Sequence, residues 1–246
     1  SEEGSTTPGT LGVQVHLAPK QSKTVTFYFT WYFPNFEMYW GQPQEGCCSK
    51  AKKTVTWPNY YASQFSDAFD VAAKLHQNRS QLYEDSRRFH DLLFSTTMPP
   101  HVLDAVSSQL DILKSATVIR LTDGTFWAWE GSSQAAGCCD GSCTHVWNYQ
   151  QALPFIFPSL ERSMREADYR YNPHPDGRLG FRLQLPLGTP PWDYHACVDG
   201  QLGGIIKTYR EWKVCGDDEW LRALWPQVKN ALEYAWVQWD ANRSEE

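Results

Sequence analysis

Apolar and polar residues alternate from Gly12 to Phe33, with Val13, Val15 and Leu17 before Pro19-Lys20, then Val25, Phe27, Phe29, Trp31 and Phe33. A period of two predicts two strands joined by a turn. Two strands are too few for an independent sheet, so these are expected to pair with strands elsewhere or to lie on helices. Residues 35–58 are polar and irregular, with Gly41, Pro43 and Gly46, and read as a linker ending at Trp57-Pro58. From Tyr60 the period turns helical. Phe65, Phe69, Ala72 and Leu75 form one stripe, and Leu82, Phe89, Leu92 and Leu93 a second behind a Ser80 cap. Leu103, Val106, Leu110 and Leu113 follow the Pro99-Pro100 break.

Asp123-Gly124 then predicts a turn into an extended Phe126–Glu130 segment. A helix is expected from near Thr144 to Leu153, another from Pro158 through Met164, and a short strand within Phe181–Leu187. Leu202, Ile205, Ile206 and Tyr209 mark a further helix ending near Gly216. Asp217 or Asp218 caps the last one, which carries Trp220, Leu224 and Val228. Helices in succession, with few strands between them, predict a mainly α chain rather than a βαβ fold.

Composition narrows the functional classes. The formal charge is −6, and no basic stripe is present to neutralise phosphates, so nucleic acid is not an expected partner. No apolar run approaches the roughly 20 residues of a membrane helix. Seven cysteines scattered through 246 residues do not form a disulfide framework and lean towards a reducing compartment. A cytoplasmic or membrane-peripheral location is expected rather than secretion. The twelve tryptophans suit either a carbohydrate site or a Trp-rich core.

The chemistry concentrates between Phe126 and Tyr149, FWAWEGSSQAAGCCDGSCTHVWNY. Glu130 follows Phe126, Trp127 and Trp129, whose flat faces would suit the C–H faces of a sugar and lower the dielectric around the acid. A carboxylate there can act as nucleophile or as general acid/base; alone in a loop it can equally be a solvated charge. Cys138, Cys139, Cys143 and His145 are soft donors, but adjacent cysteines diverge and the spacing lacks a second pair, which argues for a tight loop rather than zinc. His195 lies two residues from Cys197 and four from Asp199. The bland readings are a structural hydrogen-bonding His195 and Asp199 as the N-cap of the following helix.

The runs FWAWEG, CCDGSCTHVWNYQQAL, FPSLERSMRE, FRLQLPLG and ACVDGQLGGIIKTYREW together resemble glycoside hydrolase family 116, which includes bacterial β-glucosidases and the non-lysosomal glucosylceramidase. The resemblance covers residues 11–246. It implies an (α/α)6 toroid preceded by the last strands of a β-sandwich: residues 1–34 as those strands, 35–58 as a linker and 59–246 as the first half of the toroid. It further implies cleavage of β-glucosides with retention, with Glu130 as nucleophile and no cofactor or metal. Asp140 and His195 match positions that hydrogen-bond the sugar; Trp129, His145 and Asp199 fall in motifs near the site. The family's acid/base is an Asp in a later motif that no stretch here matches, so the chain is expected to be a fragment, inactive by itself. Glucosylceramide as substrate would bring peripheral contact with a membrane; oligomeric state is left open. The alternative is a carbohydrate-binding or structural helical module without chemistry.

Overall fold

The computed structural model describes residues 9–38, 55–115, 117–128, 130–131, 137–139 and 141–240. The molecule is mainly α, with small two-stranded antiparallel sheets between the helices. In order these are β1 (Asn35–Met38), β2 (Val55–Pro58), α1 (Ala68–Phe94), α2 (Pro100–Ser107), β3 (Val118–Arg120), β4 (Phe126–Ala128), β5 (Glu130–Gly131), β6 (Gly137–Cys139) and β7 (Ser142–Cys143). There follow α3 (Leu153–Ile156), α4 (Pro158–Tyr171), β8 (Arg182–Leu183), α5 (Val198–Cys215) and α6 (Asp218–Asp240).

Helix ends follow the local chemistry. Asp67 caps α1 through a 2.7 Å bond from the Asp70 amide, Pro158 opens α4, and Gly216 closes α5 in a left-handed conformation. The Trp220 amide donates to Asp217 Oδ1 at 3.0 Å, as the expected cap of the last helix requires. Two expectations for the helices fail. Ser80 caps nothing, because α1 runs unbroken for 27 residues; an interior Ser costs under ~1 kcal/mol and does not stop a helix. The helix expected from Thr144 to Leu153 is instead a 3-10 turn at Val146–Asn148, with α3 starting only at Leu153.

The alternating segment at residues 12–33 turns at Pro19-Lys20 as expected but contains no paired strand. Among the described residues no neighbouring strand offers it backbone partners, and Leu11, Phe29 and Phe33 lie exposed. It is held to the α1 region by side chains, with Thr30 Oγ1 donating to Ala68 O at 3.0 Å and Tyr32 and Tyr61 meeting edge to face. The described ends of the expected linker are not irregular, since β1 and β2 pair along their whole lengths.

Three apolar clusters surround α4. Ile119, Leu121, Trp127, Ala167, Leu183 and Leu185 form the first, onto which Phe36 and Trp57 dock the β1–β2 pair. Phe126, Ala128, Trp147, Leu153 and Met164 form the second. The third, from Tyr169, Leu179, Leu224, Val228 and Ala231, joins α4 to α6. Strand β4 therefore sends Trp127 to one core and Phe126 with Ala128 to another, the period-two alternation of a strand buried on both faces. Between α4 and α5 lies a buried ionic cluster. Arg165 bonds Asp168 at 2.7 Å, Glu161 at 3.2 Å and Glu211 at 3.3 Å, while Arg210 reaches Glu161 and Glu211. Lys207 is buried beside them.

Candidate active site

Between Glu130 and Asn148 the described residues form short antiparallel strands and tight turns. The backbone of Glu130 pairs with Cys139 in the β5–β6 sheet, where the register shifts between Glu130 and Gly131. Four residues after β6 begins, the chain turns at Gly141, whose φ of +87° only glycine adopts easily. A Cβ there would lie 2.5 Å from Gln184 Nε2 and 2.8 Å from Arg182 Cβ, so the turn presses directly on β8. Strand β7 then pairs with β8, Ser142 opposite Leu183 and Cys143 opposite Arg182. Trp129 and Asp140, both expected at the site, lie outside the described residues.

The aromatic cage expected around Glu130 is corrected in two of its members. Trp127 is 0% exposed and donates its indole N–H to Leu183 O at 3.1 Å; Phe126 packs edge to face on Trp147. Both are core, because strand alternation sends consecutive aromatics into opposite apolar clusters. No face of either ring is left for a sugar.

His145 and Asp199, 54 residues apart in sequence, meet directly. His145 Nδ1 and Asp199 Oδ2 form a short hydrogen bond, and Cys197 Sγ donates to Asp199 Oδ1 at 2.7 Å. The bond from the Cys197 thiol, with help from His145, holds the Asp199 carboxyl below its usual range. An ionised carboxylate only accepts, so Nδ1 is the donor in this contact. Burial, reinforced by the Asp199 carboxylate, pushes the Cys197 thiol up to about 11. That is the opposite of an activated nucleophile.

The expected N-cap role of Asp199 is also corrected. Cys197 occupies the N-cap of α5 and makes no side-chain cap bond, while Asp199 sits in the first turn with its carboxylate directed to His145 and Cys197. Backbone contacts fix this junction. Asn148 Nδ2 donates to Asp199 O at 2.8 Å, and α5 approaches the 144–148 turn so closely that a Cβ on Gly200 would lie 2.3 Å from Thr144 Oγ1.

His195 is exposed and stacks on Tyr194 at 3.9 Å between ring centroids, with Phe181 edge-on at 6.4 Å. Its loop is cross-braced by Arg178, which binds Asp193 at 2.9 Å and the Tyr194 carbonyl, and by His174 on Trp192 O at 3.1 Å. Phe181 O in turn accepts from Thr144 N and Oγ1, each at 3.1 Å. His195 is thus tied through Phe181 to the turn that carries His145. Buried Gln201 anchors α5 beneath, bonding Leu179 N, Gly177 O and Ala231 O at 2.8–2.9 Å. The structure brings together His145, Cys197 and Asp199. Cys197 was missed as a partner because only the fold shows which acid a thiol faces.

Among the described residues, His145, Cys197 and Asp199 are also the group whose donor atoms could hold a metal ion, all within 4.8 Å of one another. Cys143 is buried in the adjoining strand β7.

Residues 1–82 match the family model described as beta-glucosidase 2, glycosyl-hydrolase family 116 N-term. That match supports membership of glycoside hydrolase family 116. It covers the alternating segment, β1, β2 and the first part of α1, and at the level of reaction class it supports a glycosidase. No curated protein matches the chain. The family-116 match lies upstream of Glu130 and of the His145–Asp199 contact, so it bears on class and not on the role of any residue here.

Proposed function

We propose that this chain carries the nucleophile side of a retaining β-glucosidase. The observation that carries the reading is the match of residues 1–82 to the family-116 N-terminal domain. In the proposed mechanism the Glu130 carboxylate attacks the anomeric carbon and the leaving group departs with the glycosidic oxygen, giving a covalent glycosyl-enzyme that water then hydrolyses. Protonation of the leaving oxygen falls to a second carboxylic acid, which retaining chemistry places about 5–5.5 Å from the nucleophile. No residue of this chain is assigned to that step.

In this reading the remaining residues bind the sugar. His145 is held by Asp199 through Nδ1 and uses Nε2 to bond a sugar hydroxyl, and the exposed His195 ring, braced on Tyr194 and Phe181, offers a second polar edge. Asp140 accepts from hydroxyls and Trp129 supplies an apolar face. The domain reading belongs to the same proposal: residues 1–34 from a β-sandwich, 35–58 a linker, and 59–246 helices of an (α/α)6 toroid. The substrate is a β-glucoside; with glucosylceramide as that substrate, the protein works against a membrane surface without crossing it.

The test is Glu130→Gln in the protein as its gene encodes it. Turnover of an aryl β-glucoside should fall by several orders of magnitude while the fold, read by circular dichroism, is unchanged. Undiminished turnover would sink the assignment.

A further inference from the structure

The group formed by His145, Cys197 and Asp199 has more donor chemistry than sugar binding uses. We propose that it is a binding site for a borderline divalent transition ion of the zinc or cobalt kind. The proposal goes beyond the glycosidase reading, which needs no metal, and does not depend on it.

Geometry carries it. A tetrahedral ion with bonds of about 2.0–2.3 Å holds its ligands roughly 3.3–3.8 Å apart. Here an imidazole nitrogen of His145, Cys197 Sγ and an Asp199 carboxylate oxygen all fall within 4.8 Å of one another, with Sγ already 2.7 Å from Oδ1. The donors come from two elements whose relative position is fixed. His145 opens the 3-10 turn at Val146–Asn148, Cys197 and Asp199 sit at the start of α5, and the Gly200–Thr144 approach with the Asn148 bond to Asp199 O locks the two together.

The charges also fit. At present one carboxylate is bridged by two protons, one from the thiol and one from the imidazole. An ion placed at that point replaces both. The thiol proton leaves to solvent, the imidazole stays neutral by carrying its proton on Nε2, and thiolate plus carboxylate balance a dication with no change of oxidation state. The thiolate selects zinc or cobalt over calcium or magnesium. His145 and Asp199 keep 40% and 49% of their side-chain surface exposed, which leaves the fourth position open to water or a small ligand, the arrangement of a three-residue site.

Cobalt(II) titration of the reduced, chelator-free chain tests this without any activity assay. The expected result is one equivalent bound, with near-ultraviolet thiolate-to-cobalt charge transfer and intense four-coordinate visible bands. Zinc should abolish the spectrum, and calcium and magnesium should not. Cys197→Ser should remove the charge-transfer band, His145→Ala should weaken binding tenfold or more, and Cys143→Ser should leave the spectrum intact. Asp199→Asn, which preserves shape, should also weaken binding tenfold or more and serves if Cys197→Ser fails to fold. A chain that shows no band at stoichiometric cobalt, or a band that survives Cys197→Ser, overturns the proposal; neither result touches Glu130.

Discussion

A methyl group on Gly200 would meet Thr144 Oγ1 at 2.3 Å and Thr144 Cβ at 2.8 Å, whereas one on Gly204, a turn further along α5, would meet nothing closer than Tyr169 Oη at 3.4 Å. Gly200→Ala should therefore destabilise by about 1–3 kcal/mol through overpacking, and Gly204→Ala should be neutral or stabilising by up to about 1 kcal/mol through helix propensity. Urea denaturation of the two variants side by side separates the effects. Cys197 gives a second expectation at this scale. Its thiol, pushed up to about 11 by burial and by Asp199, should alkylate slowly at pH 8. Asp199→Asn removes the second of those causes and should speed alkylation of Cys197, followed by mass spectrometry of its peptide. Glu130, His195 and Asp199 were visible in the sequence as reactive types in unusual company. The partnership of Asp199 with His145 and Cys197 was not, because a contact across 54 residues leaves no local pattern, and an acid just before a helix reads first as a cap.

The α4–α5 interface carries a buried ionic joint beside its apolar contacts. Burial works against the Arg165 charge, but Glu211, Asp168 and Glu161 outweigh it and push the guanidinium above its usual range. At Asp168 and Glu211 burial wins over the pairing, so their carboxyls are pushed up. Arg165→Met should cost about 3–5 kcal/mol, because it leaves buried carboxylates without their main counter-ion; a lowered urea midpoint is the measurement. Lys207 gives a pH signature. Burial, with the repulsion of Arg165, brings its ammonium down to about 7. Between about 7 and the unfolded value near 10.4 the unfolded chain holds the extra proton, so stability should rise with pH there by up to about 1.4 kcal/mol per unit. Lys207→Met should flatten that slope in chemical denaturation; an equal slope in the variant would refute the assignment. None of this was legible in sequence. Glu161, Arg165 and Asp168 at spacings of three and four look like a solvated helix face until the packing of α5 buries them.

For the molecule as a whole, periodicity located the helices and turned on composition only at their ends. Pro158 and Gly216 marked true boundaries, while Ser80 was an interior serine and the residues near Thr144 formed a tight turn. The alternation at residues 12–33 was real but describes a segment without strand partners among the described residues; it lies along α1 instead, with Phe29, Trp31, Phe65, Leu75 and Leu82 lining an apolar groove of about 570 Å³. The aromatic richness divides: Phe126, Trp127, Trp147 and Tyr169 are core, whereas many of the other described aromatics, Trp31, Trp192, Trp225 and Trp236 among them, lie exposed.

The proposed role of Glu130 is tested most directly by covalent trapping. A 2-deoxy-2-fluoro-β-glucoside with an activated leaving group departs without help from an acid, so it reports on the nucleophile alone. In the protein as its gene encodes it, peptide mapping should find one fluoroglucosyl group esterified to Glu130, and none after Glu130→Gln. An adduct on any other carboxylate, or labelling that persists in the variant, would contradict the account.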